Sequence, residues 1–150
     1  MSRLRFTILG CGSSGGVPRI GNMWGDCDPA NPKNRRLRCS MLVERITRSG
    51  TTRVLIDTTP DMREQLLRAG VGELDAVVYT HSHADHTHGL DDLRQITFNT
   101  RRRLPVWADA DTQESLISRF GYAFVQPDGS DYPPICKLHL IRGAFSIEGA

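Results

Sequence analysis

The chain has 150 residues, of which 39% are hydrophobic and 24% are charged. This size and composition fit one globular domain with a buried core. The net charge of +2, from 19 basic and 17 acidic residues, does not indicate a nucleic-acid-binding protein. No stretch approaches the ~20 apolar residues of a membrane span, and the apolar run at residues 6–9 is too short for a signal peptide.

The cysteines are scattered along the chain and form no Cys-x-x-Cys pair, which is typical of reduced thiols rather than of a disulfide framework. We therefore expect a cytoplasmic protein. The four cysteines are Cys11, Cys27, Cys39 and Cys136.

Hydrophobic patterning predicts alternating strands and helices. A helix should begin at Thr59-Pro60 and end at Gly70, and another should follow Asp111 and Glu114, which resemble a capping box. The order β-β-β-α-β-α-β-α-β indicates a mixed α/β fold. The six strands of this order are predicted at residues 5–9, 40–46, 53–57, 76–79, 105–108 and 137–141, and a third helix over 90–97. Residues 143–148 resemble a further strand that is cut off in mid-sheet.

A long loop is predicted at residues 10–38, and loops of more than about 15 residues are usually functional or disordered. Its glycines Gly10, Gly12 and Gly15 satisfy the spacing G-x-G-x-x-G after a strand. A dinucleotide site would need a helix beginning at the last glycine. Gly16 and Pro18 follow instead, so we expect a loop that approaches a cleft and no nicotinamide cofactor.

Four of the five histidines lie within eight residues, directly after the apolar strand predicted at residues 76–79. With Asp85 they supply imidazole and carboxylate ligands that suit zinc, manganese or iron. His81 and His83 are two residues apart, so both can reach one ion. Asp85 and His86 are adjacent and diverge, so they can serve a second ion nearby.

The pattern His-x-His-x-Asp-His resembles the signature of the metallo-β-lactamase-fold hydrolases. The strand that enters the Gly/Ser loop, the strand that ends in Asp57, and Gly89-Leu90-Asp91 after the histidines extend this resemblance. It points to the branch containing phosphoribosyl cyclic phosphate phosphodiesterase and, more distantly, the tRNA 3′-end processing endonucleases. The implied fold is an α/β, metallo-β-lactamase-like αββα sandwich.

The resemblance also implies residue roles. His81 and His83 would bind one divalent ion, zinc or manganese, and Asp85 and His86 the second. Asp85 and His86 would thereby be catalytic, holding a water between the ions as the nucleophile. Asp57 would orient a ligand from beneath the site, although it could also be a helix-start acid.

Other residues have weaker support from the pattern. His88 either hydrogen-bonds around the site or faces solvent. Arg35 and Arg38 lie in a basic run before Cys39-Ser40 that resembles the phosphodiesterase branch, and they either hold a phosphate or form a solvated turn. Trp24 is a candidate for stacking on a base or sugar.

The resemblance has two gaps. A structural zinc needs four ligands, whereas the part of the long loop after Pro18 offers only Cys27, with Cys39 at its end. The later metal ligands of the family have no counterpart, so we expect residues 1–150 to be one incomplete domain, mainly the N-terminal half of the fold.

The sequence thus predicts a metal-dependent phosphodiesterase that acts on a small cyclic phosphate or nucleotide-like substrate. The alternatives are a thioester or lactam hydrolase of the same fold, or a non-catalytic metal-binding module. The expected partner is a small phosphorylated substrate and not a membrane. A nucleic acid is disfavoured but left open, as is a homodimer.

Overall fold

The computed structural model describes residues 2–149, which form one six-stranded sheet flanked by helices. The strand order follows the chain, β1-β2-β3-β4-β5-β6. The strands are β1 (Arg3–Gly10), β2 (Ser40–Ile46), β3 (Thr51–Ile56), β4 (Ala76–Val78), β5 (Leu104–Ala108) and β6 (Cys136–Leu140). The helices are α1 (Met62–Ala69), α2 (Ala84–Thr87), α3 (Leu93–Thr100) and α4 (Ala110–Phe124).

The sheet is antiparallel from β1 to β3 and parallel from β3 to β6. Each parallel step needs a crossover, and α1, the α2–α3 segment and α4 provide the three crossovers in turn. Right-handed crossovers that advance in one direction place their helices on one face of the sheet. Residues 2–149 therefore build one sheet and one helical layer, which is half of an αββα sandwich.

The two faces of the sheet differ in burial. Alternate residues such as Leu42, Leu55 and Val106 are at most 1% exposed and pack with α1, α3 and α4 in one hydrophobic core. On the opposite face, Phe6 and Ile8 of the edge strand β1 are 59% and 71% exposed. Because side chains alternate across a strand, this division defines one covered face and one open face.

The last described segment crosses part of the open face. The ring of Phe145 stacks on that of Trp107 at 4.4 Å between centroids, and His139 stacks on Trp107 at 4.6 Å. Gly149 lies against Thr52, which is 5% exposed. The strand predicted at residues 143–148 is therefore wrong: the segment is irregular and lies over the sheet without joining its edge.

The other predicted elements are confirmed, with corrections at three helix starts. The helix predicted over 90–97 is a 3-10 turn at Leu90–Asp92 followed by α3. The helix predicted from Thr59-Pro60 begins at Met62 with Asp61 as its N-cap, whereas Gly70 ends it as expected, at φ 66°. The capping box predicted at Asp111 is wrong. Helix α4 is capped by Asp109, whose side chain accepts a hydrogen bond from the Thr112 amide at 2.8 Å.

Candidate functional site

The candidate site lies where β3 and β4 end. These strands are parallel neighbours with Ile56 opposite Val78, so their carboxyl ends bring Asp57 and the Thr80-His81 pair together. The Asp57 amide donates to the carbonyl of Val78 at 2.9 Å, which continues the ladder by one bond. Because these strand ends converge, Asp57 and His81 meet at one edge of the sheet although they are 24 residues apart in the chain.

Asp57 is the centre of a hydrogen-bond network. Its Oδ1 accepts from the Thr80 amide at 2.8 Å, and its Oδ2 accepts from Thr80 Oγ1 and from His86 Nδ1, both at 2.7 Å. The residue is 3% exposed and has φ of 61°, a left-handed conformation that Asp adopts more readily than most residues. Such backbone conformations cluster at functional sites.

This network sets the tautomers of two histidines. The Nδ1–H of His86 donates to the Asp57 carboxylate. Thr80 Oγ1 gives its proton to Asp57, so it accepts from His81 Nδ1–H at 2.9 Å. In a neutral ring with its proton on Nδ1, the unprotonated nitrogen is Nε2, through which histidine can bind a metal. A carboxylate on the far nitrogen of a histidine is also the usual support of a metal ligand.

The imidazole rings of the loop lie close together. The centroid of His81 is 4.6 Å from that of His83 and 4.1 Å from that of His86. The carboxylate of Asp85 lies 3.4 Å from His86 Nε2. The donor types and tautomers fit a divalent ion, but no group of three or more His, Cys, Asp or Glu side chains among residues 2–149 could hold one as arranged.

Thr58 fixes the histidine loop from below. Its amide donates to the carbonyl of His86 at 2.9 Å, and its carbonyl accepts from the Gly89 amide at 2.9 Å. Its hydroxyl donates to the Thr87 carbonyl and is also hydrogen-bonded to the Tyr79 hydroxyl. Gly89 is required by close approach, since a Cβ there would lie 2.0 Å from the Thr59 carbonyl oxygen. Thr58 thus holds the loop through its backbone and not through the histidine side chains.

The proposed substrate residues contact other parts of the chain. Arg38 is tied to the start of α1, because its amide and guanidinium both contact Asp61, at 2.9 and 3.5 Å. The guanidinium of Arg35 lies over the Trp24 ring, 5.4 Å from its centroid. Within residues 2–149, no hydrogen bond, ion pair or ring contact joins these three residues to the histidine loop.

The long loop is ordered and contains no helix at its glycines, as expected. Gly10 packs on the backbone of residues 36–38, where a Cβ would lie 2.1 Å from the Arg38 carbonyl oxygen. Cys27 is half-buried and Cys39 exposed, and neither belongs to a metal-holding group within the described range.

Two residues near the site were missed by the sequence analysis. Thr80 precedes His81 and could have been noticed from its position at a strand end. Arg119 donates to the carbonyl of Ser82 at 2.6 Å, and no local pattern signals a contact across 37 residues. His88, expected near the site, is exposed, with its ring 5.7 Å from that of Phe120.

The fold and the histidine loop together define a protein of the metallo-β-lactamase fold. Residues 52–148 match the family described as the beta-lactamase superfamily domain, and the chain belongs to that family. No helix within residues 2–149 is long and apolar enough to cross a membrane.

Several known proteins resemble the chain. A diphosphatase of the PhnP family is 40% identical, with a TM-score of 0.76 over 95% of this chain and 52% of its own. Zinc-bound PqqB from Methylobacterium extorquens is 21% identical, with a TM-score of 0.62 over 94% of this chain and 46% of its own, and shows the fold alone. An octanoyltransferase from Porphyromonas gingivalis is 42% identical over 93% of this chain. The chain spans about half of the diphosphatase and 27% of the octanoyltransferase.

Proposed function

We propose that the chain carries the histidine-loop half of a metal-dependent phosphohydrolase that cleaves a phosphodiester or diphosphate bond in a small substrate. The observation that carries this proposal is the Asp57 network, which engages His81 and His86 through Nδ1 and so makes Nε2 the cation-binding nitrogen of each neutral ring. The 40% identity to a diphosphatase supports a phosphoryl substrate.

In this proposal His81 and His83 bind one divalent ion, and Asp85 and His86 bind a second. Zinc or manganese suits these ligands, and each ion needs further ligands besides these two. A bound divalent ion supplies a Lewis acid that polarises a phosphoryl oxygen and makes water more acidic. The chain's own contribution is orientation: Asp57 and Thr80 hold the two imidazoles, and Thr58 holds the backbone between β4 and α3.

The test is elemental analysis of the purified protein with its intact mass, followed by hydrolysis of bis(p-nitrophenyl) phosphate. We expect two ions per chain, and turnover that His83→Ala or Asp85→Ala lowers by a factor of at least ~10³, in keeping with loss of metal-ion catalysis. The matched control is His139→Ala, because His139 stacks on Trp107 outside the loop. Turnover that survives in both loop variants would refute the assignment, and fewer than one ion per chain would favour a non-catalytic module.

An acyl substrate is the second candidate, because one relative is named an octanoyltransferase. The match covers only 27% of that protein, so most of the octanoyltransferase lies outside the region that resembles this chain. Octanoyl-coenzyme A and bis(p-nitrophenyl) phosphate offered to the same preparation separate the two. If only the thioester is hydrolysed, the protein is an acyl hydrolase and the proposed phosphohydrolase activity is wrong.

A further inference from the structure

Helix α4 contributes a cationic side chain to the histidine loop. Arg119 Nη1 donates to the carbonyl oxygen of Ser82 at 2.6 Å, and Ser82 stands between His81 and His83 in the chain. The guanidinium is therefore held against the backbone between the two histidines that the proposed function assigns to one ion.

An open cleft of about 590 Å³ separates α4 from the loop. One side is formed by His83 and His88, and the other by Arg119 and Phe120. The ring of Phe120 meets that of His88 edge-on at 5.7 Å. The cleft thus has an aromatic floor and a permanent positive charge next to a candidate metal ligand.

The helix is deformed at this point. Phe120 has φ −130° and ψ 33°, outside the helical range, while α4 continues to Phe124. Gly121 follows directly, and glycine is a common position for a kink. The deformation falls between the residue that bonds Ser82 and the helical turn that packs Ala123 and Phe124 into the core.

The charge of Arg119 is not neutralised by the protein. Among residues 2–149 no carboxylate forms an ion pair with it, in contrast to Arg68 and Arg94, which pair with Glu64 and Asp91. Arginine has five N–H donors in a planar fork, and the Ser82 carbonyl takes one. The remaining donors suit a phosphate or carboxylate, which guanidinium binds in bidentate fashion.

We infer that Arg119 binds a second anionic group of the substrate, adjacent to the phosphoryl group at the histidine loop. The substrate class is then a compound with two neighbouring phosphoryl groups, that is, a diphosphate, in preference to a simple phosphodiester. This inference rests on the proposed function for the position of the reacting phosphoryl group. Arg119 acts here as a specificity residue.

The experiment compares two matched substrates, bis(p-nitrophenyl) phosphate with one anionic phosphoryl group and P1,P2-bis(p-nitrophenyl) diphosphate with two. Hydrolysis is followed by phosphorus NMR for the wild type, Arg119→Gln and Arg119→Lys. The control is Arg48→Gln, which removes one exposed positive charge in the turn between β2 and β3, at the opposite end of β3 from the site.

We expect Arg119→Gln to raise KM for the diphosphate about tenfold while KM for the monophosphate diester changes less than about twofold. Arg119→Lys should recover part of the loss, since it keeps the charge without the fork. An equal loss on both substrates would mean that Arg119 only braces the Ser82 backbone, and an unchanged KM would mean that it does not meet substrate. Either result overturns the inference.

If the wild type hydrolyses neither substrate, the proposed function fails, and binding of methylenediphosphonate measured by calorimetry decides the inference alone. A dissociation constant about tenfold weaker in Arg119→Gln than in the wild type and Arg48→Gln supports it. Equal affinities, or no binding to the wild type, overturn it.

Discussion

At the scale of single residues, Asp57 orients two histidines, His86 directly and His81 through Thr80. Replacing Asp57 by Asn keeps the shape of the side chain but exchanges one acceptor oxygen for an NH2 donor. In one orientation of the amide this NH2 group faces the Thr80 amide, and in the other it faces His86 Nδ1–H, so one hydrogen bond is lost either way. We expect Asp57→Asn to weaken zinc binding about 10- to 100-fold, as loss of such supporting carboxylates typically does. Competition with a chromophoric chelator measures the change.

Asp91→Asn is the matched control, because Asp91 bonds Tyr122 and Arg94 at the surface. It should leave zinc affinity within about twofold of the wild type, since it does not support a proposed ligand. Equal losses in the two variants would show that general charge, and not the bond to His86, sets the affinity.

The histidines, Asp85 and Asp57 could be found from the sequence because their residue types and spacing carry the chemistry. Arg119 could not, because it reaches Ser82 only after α4 has packed on the sheet. Trp24 and Arg35 show the reverse case. Their residue types suit a substrate, but the Arg35 guanidinium lies over the Trp24 ring.

At the scale of elements, Glu44 joins three strands. Its carboxylate lies 2.6 Å from Arg5 Nε on β1 and 3.2 Å from Arg53 Nε on β3, and its side chain is 3% exposed. The hydrogen bond from Arg5 lowers the pKa of Glu44 below its ordinary value of 4.5. Glu44→Gln should cost about 1.5–2 kcal/mol of unfolding free energy at pH 7, the lower part of the range for hydrogen bonds to charged groups, measured by urea denaturation.

The sign of the pH effect follows from the lowered pKa. A carboxylate whose pKa is lower in the folded state stabilises the fold above its unfolded pKa, and this stabilisation is lost as the pH falls through the folded pKa. The difference between wild type and Glu44→Gln should therefore shrink below about pH 4.5. Glu64→Gln, which breaks the exposed pair with Arg68, should change stability by less than about 0.5 kcal/mol. A Glu44 effect that grows on acidification would contradict the role assigned to the ion pair.

Hydrophobic periodicity was enough to predict whether a segment is a helix or a strand. The residue at which each element begins or ends depends instead on the neighbouring elements with which it pairs. Asp109 and Asp111 are both plausible caps by residue type. Asp109 is the cap because β5 stops at Ala108, where its pairing with β6 ends. The segment at residues 143–148 has a strand-like composition but no neighbouring strand, and the stacking of Phe145 on Trp107 holds it across the sheet instead.

At the scale of the whole molecule, the burial of the sheet is one-sided. Leu55 is 0% exposed beneath the helices, whereas Phe6 is 59% exposed on the opposite face. In the 150-residue chain we expect Leu55→Ala to cost about 2–5 kcal/mol of unfolding free energy, because it leaves a cavity. Phe6→Thr should change stability by no more than about 0.5 kcal/mol. Urea denaturation of both variants measures the contrast.

A large loss from Phe6→Thr would mean that the open face is covered in solution. Composition alone could not have separated these faces, since Leu55 and Phe6 are both apolar residues in strands. The separation comes from the strand register and from the side on which the crossover helices pack.

The strand order has a consequence for how the chain reaches its fold. Each strand pairs with the strand that immediately precedes it in the sequence. During synthesis the N-terminal part of a chain emerges first, so every new strand meets a partner that has already left the ribosome. Asp57 and Thr58, which frame the histidine loop, are also made before it. The loop therefore emerges onto a support that is already available, and the sheet can grow one strand at a time in the order of translation.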